Sequence, residues 1–220
     1  MKKDDIFYGL ELDGEQAEFK EAMFSNEYDI VFCNAKAGTG KTLLSVACAN
    51  ILINKDKKYN KMYYLSIPVQ EQALGFLPGT IEEKTSAYHQ PLHDALIKIN
   101  IEPHKAIIPE SFKGKKSNDG WVEATTHVFL RGCNLDECII VIEEAQNATT
   151  DQLKKMLTRV NPTCKVIVIG HSGQIDLRNK KDSGFTKYLE HFKEKEKCKI
   201  CELTTNYRSW IAQWADGING

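Results

Sequence analysis

Twelve residues, "CNAKAGTGKTLL" from Cys33 to Leu44, restrict the fold more than any other part of the chain. They are preceded by the apolar run "DIVFC" and lead into the apolar-periodic stretch "KTLLSVACANILI". Strand, glycine turn and helix in immediate succession are the context that a phosphate-holding loop requires. Within Ala35-Lys36-Ala37-Gly38-Thr39-Gly40-Lys41-Thr42 the two glycines let backbone N–H groups turn inward, and the following helix adds its positive end. Lys41 is placed to reach the β- and γ-phosphates of a nucleotide, and the Thr42 hydroxyl to ligate Mg²⁺. Ala35 stands where the usual pattern has glycine; the position needs only a small residue.

Hydrolysis would require a metal-orienting acid and a group that positions water. "CIIVIEEAQN" supplies both, because an apolar strand ending in Glu143-Glu144 delivers two carboxylates to the sheet edge where such folds bind ligand. Alternation along the strand is expected to make them diverge, Glu143 toward the metal and Glu144 toward the water. Asp is usual at the first position, so the longer Glu143 predicts a displaced or water-mediated metal contact and slower turnover. In "KVIVIGHSGQIDL" a further strand runs into a polar turn whose Gln174 is placed to sense the γ-phosphate. Arg208 in "NYRS" is a candidate for neutralising transition-state charge, with Arg159 in "LTRV" as its competitor.

The rest of the chain fits this centre. The runs "DIVFCN", "KMYYLS", "CIIVIEE", "KVIVIG" and "CKICEL" lack polar alternation, which predicts strands buried on both faces of a parallel sheet covered by helices. The fold class expected is α/β, a single phosphate-loop domain over residues 1–220. Residues 67–126 interrupt the rhythm and read as a helix-rich insertion after the second strand, with helices starting near Thr80 and ending before Pro103.

Composition narrows the alternatives. A formal net charge of −1 excludes an all-over basic coat for nucleic acid. Between Arg178 and Lys199 eight basic residues face four acids, which reads as a solvated helix face. Lys113, Lys115 and Lys116 fall in a loop-like stretch. Seven cysteines in apolar runs suit reduced core thiols; Cys198 and Cys201 form a C-x-x-C whose partner pair for zinc would have to be Cys133 and Cys138, a loose match. No apolar run is long enough to cross a bilayer, and the acids in "MKKDDIFYGL" do not suit a signal peptide, so a cytoplasmic location is expected.

Taken together these residues resemble the PhoH family, the phosphate-starvation-inducible-like ATPases related to superfamily 1 helicase motors. Beyond the phosphate loop, the resemblance lies in "LGFLPGTIEEKTSAYHQPLHDAL", "EEAQNATTDQLKKMLTRV", and "GQIDL" followed by "SGF". It implies ATP binding and hydrolysis on a RecA-like sheet, assembly into a homo-oligomeric ring of six, and RNA or single-stranded DNA as the polymer acted on. By the same similarity Arg208 touches the γ-phosphate, and Gln16 in "LDGEQAEF" is the glutamine that reads adenine. The chain departs from the family pattern at Glu143-Glu144 (Asp-Glu in the family), at Gly170-His171 (Gly-Asp) and at Ile67-Pro68 (Arg-Pro). No ribonuclease domain of the kind fused to some members is expected.

Two functions of different class follow. One is an ATP-hydrolysing remodeller of nucleic acid; the other is a nucleotide-gated binding or scaffold protein with slow or no hydrolysis. A small-molecule kinase fits less well, since a water-activating pair works against phosphate transfer to anything but water.

Overall fold

The computed structural model describes residues 6–67, 87–109, 120–126 and 134–216. A short antiparallel hairpin opens it, β1 (Ile6–Phe7) and β2 (Leu10–Glu11), joined by Tyr8 and Gly9. Both turn residues have positive φ, 52° and 78°, the backbone of a two-residue turn that matches strand twist. Helix α1 (Gly14–Phe24) follows, capped by Asp13, whose carboxylate accepts from the Gln16 amide N–H while the Gln16 side chain bonds back to Asp13.

The body is a sheet of six parallel strands: β3 (Ile30–Ala35), β4 (Lys61–Ser66), β5 (Val122–Thr126), β6 (Cys138–Glu143), β7 (Lys165–Gly170) and β8 (Cys198–Leu203). Their spatial order is β5-β4-β6-β7-β3-β8. Five are the strands expected from the apolar runs. The sixth, β5, falls inside residues 67–126 and extends the sheet at one edge, so that segment contributes a strand as well as helices. The continuous apolar runs have their physical cause here. Along β3, Ile30 and Phe32 enter one core, while Val31, Cys33 and Ala35 enter the core on the opposite face.

On the first face lie α1, α2 (Lys41–Asn50, continued by a π turn over Ile51–Lys55), α3 (Gln90–Lys98) and α4 (Pro103–Ala106). On the second lie α5 (Thr150–Leu157) and α6 (Phe185–Phe192); α7 (Trp210–Asp216) follows β8. Helix α3 ends at Lys98, but α4 starts at Pro103, where the fixed φ of proline suits a first helical turn, so the helices of this segment continue past the end expected before Pro103. The start expected near Thr80, the lysines at 113, 115 and 116, Pro68 and Cys133 lie outside the described residues. Cys198 and Cys201 serve opposite cores, so they cannot share an ion, and Cys138 Sγ lies 3.5 Å from Cys164 Sγ inside the second core. In the basic stretch, Lys197 pairs with Asp29 at 3.3 Å and Lys199 with Glu18 at 2.6 Å. Among the described residues no helix is long and apolar enough to cross a membrane.

Register places the functional edge. Ser66 pairs with Glu143, Asn34 with Gly170 and Ala35 with Leu203, so the carboxyl ends of β3, β4, β6, β7 and β8 finish at one level.

Candidate functional site

Every glycine of the loop after β3 has a steric reason. Gly38 and Gly40 have φ of 79° and 84°, a region that side chains with a Cβ avoid. A Cβ on Gly38 would also stand 2.4 Å from Asn206 Oδ1 and 2.6 Å from Arg208 Cγ. Ala35 is buried at the end of β3, and Thr39, likewise buried, donates its hydroxyl to the Lys36 carbonyl at 3.0 Å. Lys36 is exposed, and Ala37 lines the cleft with Gly38 and Gly40. Gly40 precedes the first turn of α2 without a side-chain cap, which leaves the helix N-terminus to the loop.

A cleft of about 370 Å³ opens above the loop, lined by Lys41, Thr42, Glu143, Glu144, His171, Gln174 and Arg208. Helix α3 forms one wall through Pro91, Asp94, Ala95 and Lys98. Ala37, Gly38, Gly40, Lys41 and Thr42 of the loop, both carboxylates, Gln174 and Arg208 are therefore brought to one place from four separate segments, while Ala35, Lys36 and Thr39 do not line the cleft.

Thr42 and Glu143 meet although 101 positions separate them: Thr42 Oγ1 donates to Glu143 Oε2 at 2.9 Å. Tyr64, from β4, donates its phenol to the same oxygen at 3.2 Å. Glu143 is 2 % exposed. Burial pushes its carboxyl up to about 7, a rise opposed by Lys41 and by the two hydroxyl bonds and reinforced by Glu144. A hydroxyl and a carboxylate in contact, with no nitrogen or sulfur donor, fit a hard divalent cation that takes a few protein oxygens and completes its shell with water and phosphate. Thr42 and Glu143 are the residues that would hold it. Tyr64 is a site residue that the sequence reading misses.

Glu143 is the last residue of β6, and the chain turns sharply after it: Glu144 has φ of 55°, left-handed for a non-glycine residue. Glu144 therefore lies just past the strand, where the alternation expected to separate the two carboxylates no longer applies. Backbone strain of this kind is a feature of functional sites and needs surroundings that hold it. Gln146 supplies part of that hold, with Nε2 donating to Glu144 Oε2 at 2.5 Å.

The segment after β8 lies over the loop. Tyr207 N–H donates to the Gly38 carbonyl at 2.9 Å, and the Arg208 stem packs against Gly38. The segment is moored to the start of α1, where the Thr204 amide donates to Glu15 Oε2 at 2.6 Å and the Tyr207 phenol to Asp13 Oδ2 at 2.5 Å. Arg208 thus stands over the loop of its own chain. Arg159 does not join it: its carbonyl accepts from the Leu135 N–H at the approach to β6, the opposite edge of the sheet. Gln16, expected to read adenine, is buried, with Nε2 donating to the Thr39 carbonyl at 2.9 Å and Oε1 accepting from the Asp13 amide at 3.3 Å. In this structure its amide braces the loop.

Known proteins resemble the chain along most of its length. Residues 11–215 match the family described as PhoH-like protein. A PhoH-like protein of Mycobacterium tuberculosis is 36 % identical over 192 residues, covering 86 % of this chain and 51 % of its own. The PhoH-like protein of Bacillus subtilis is 35 % identical over 190 residues (86 % and 56 %), and Protein PhoH of Escherichia coli 33 % over 186 (82 % and 49 %). The chain spans about half the length of the curated relatives it matches. Among solved structures, the large terminase of a thermophilic bacteriophage superposes with a TM-score of 0.59 at 11 % identity, covering 96 % of this chain and 51 % of that one. The HK97 bacteriophage large terminase does so with 0.53 at 14 %, covering 88 % and 39 %. The folds agree at identities too low to carry function, whereas the relatives do share sequence along nearly the whole chain: it is a member of the PhoH family.

Proposed function

We propose that the chain binds ATP with Mg²⁺ and hydrolyses it, and that it couples hydrolysis to the remodelling of RNA or single-stranded DNA as an oligomer. The observation that carries the reading is the Thr42–Glu143 contact at 2.9 Å, with Lys41 and Glu144 on the same cleft. The loop amides and Lys41 hold the phosphate tail. Glu144 takes a proton from a water molecule as its oxygen bonds to the γ-phosphorus. The bond from that phosphorus to the β–γ bridging oxygen breaks, and ADP and inorganic phosphate leave. Lys41 and Arg208 face the charge that develops on the transferring group. Mg²⁺, when bound, neutralises phosphate charge at Thr42 and Glu143.

The polymer and the oligomer are inferred from the family. Arg208, over its own loop, favours action within one chain, whereas Arg159 would reach a nucleotide only of a neighbouring subunit. Steady-state phosphate release, with and without single-stranded RNA or DNA at two salt concentrations, tests the reading. Stimulation that weakens with salt is expected. Retained nucleotide binding with background turnover would favour the nucleotide-gated scaffold, and wild-type turnover in Glu144→Gln would remove Glu144 from its role. Mixing Arg159→Ala with Lys41→Ala subunits separates the arginines: restored turnover would assign Arg159 to a neighbour's site.

A further inference from the structure

We propose that Gln146 is a positioning residue for hydrolysis, fixing Glu144 in its left-handed turn and tying it to the loop after β7 that reaches the γ-phosphate. The inference rests on the reading of Glu144 as the residue that activates water. Gln146 is 1 % exposed, and both ends of its amide are engaged. Nε2 donates to Glu144 Oε2 at 2.5 Å, and Oε1 accepts from the backbone N–H of His171 at 3.0 Å. Its own carbonyl accepts from Ser183 Oγ at 2.7 Å, which anchors the residue from below. One side chain therefore links the carboxylate leaving β6 to the turn leaving β7.

That turn is short and enters the cleft. His171 and Gln174 both line it, and the Gln174 N–H donates to the His171 carbonyl at 3.1 Å. Any shift of His171 toward a bound phosphate is transmitted through the Gln146 amide to Glu144. Gly170 makes room for the link, since a Cβ there would stand 2.7 Å from Gln146 Oε1 and 3.1 Å from the Gln146 backbone nitrogen. Without Gln146, the Glu144 side chain loses the donor that fixes its direction, while its backbone remains in a costly conformation. A base misplaced by about 1 Å loses on the order of 10²-fold in rate.

The test perturbs the link from each end. Gln146→Met keeps the buried volume and removes both hydrogen bonds; Gly170→Ala displaces the amide from the β7 side. Each is measured for kcat, for the Kd of a fluorescent non-hydrolysable ATP analogue with Mg²⁺, and for melting temperature. The expected result is a fall in kcat on the order of 10²-fold with Kd within about threefold, in whichever variants fold. In a Glu144→Gln background, single-turnover rates should show no further loss from Gln146→Met, because both changes act on one carboxylate. A folded variant with kcat near wild type overturns the proposal, as does a loss matched by an equal loss of nucleotide affinity. Failure of the underlying reading is distinguishable: it would show as undiminished turnover in Glu144→Gln alone.

Discussion

At the amino edge of the sheet Lys165, the first residue of β7, is 2 % exposed; at the carboxyl edge Glu143, the last of β6, is buried to the same degree. The lysine is completed by backbone. Its Nζ donates to the carbonyl of Ser25 at 2.5 Å, just past α1, where the helix C-terminus carries partial negative charge. Burial pulls its ammonium down to about 8, with Lys58 adding to the fall. The carboxylate is held by hydroxyls, Thr42 and Tyr64, and by the distant charge of Lys41, on the wall of an open cleft. No cation of the protein lies against it as an ion-pair partner among the described residues. A buried charge completed by backbone serves packing, whereas one left to be completed from outside serves binding.

The largest expected effect separates the edges by function. Lys41→Ala should lower phosphate release by about 10²–10³-fold, the size of loss seen when one donor to a transition-state anion is removed. Lys165→Met, which keeps the buried stem, should leave turnover within about twofold. Comparable losses in both would mean that the amino edge takes part in turnover.

The second effect is on stability and pH. Burial raises the Glu143 pKa from the ordinary 4.5 to about 7, so the folded chain holds this proton more tightly than the unfolded chain does. Stability from this group is therefore complete below pH 4.5 and disappears as pH rises to 7, a difference on the order of 3 kcal/mol. Glu143→Gln should remove that slope, so urea unfolding of the nucleotide-free protein at about pH 5 and about pH 8 should show the variant gaining on wild type at the higher pH. Lys165 has the opposite dependence: its folded pKa is lowered, so stability should rise with pH between about 8 and 10.5, and Lys165→Met should flatten that rise. A stability difference between wild type and Glu143→Gln that stays constant across that pH interval would show that Glu143 is already ionised and satisfied.

The residues that were legible in sequence are those whose role is local. Gly38, Gly40, Lys41 and Thr42 fall within five positions on one strand–loop–helix junction, and the runs forming β3, β6 and β7 are apolar because both faces are covered. Edge strand β5, "VEATT", lacks that signature, since Glu123 faces Lys61 at 2.9 Å near solvent. Tyr63 and Tyr64 are equivalent in sequence; only the pleat sends Tyr64 to Glu143 and its neighbour toward Lys61. Gln146 could not be assigned without the left-handed turn at Glu144. Gln16 is turned to Thr39 by the capping box of α1, a contact across 23 positions that no local pattern shows.

The smallest effect probes how the carboxyl edge stays open. Its covering segment is held by exposed groups: Tyr207 is 55 % exposed, and its phenol, bonded to Asp13, is pushed up to about 12 chiefly by that bond. Tyr207→Phe removes the bond and leaves the Tyr207 backbone donor on Gly38 in place. An exposed hydrogen bond of this kind contributes about 0.5–1 kcal/mol, so nucleotide affinity should weaken roughly two- to fivefold as Arg208 loses part of its anchorage. Global stability should hardly change, because the core beneath is untouched. A substitution at the amino edge, where the buried lysine bonds to backbone, should do the reverse: Lys165→Ala should lower stability and leave nucleotide affinity alone. If Tyr207→Phe instead lowers the melting temperature as much as Lys165→Ala does, the segment is a structural part of the fold, and the contrast between the two edges does not hold.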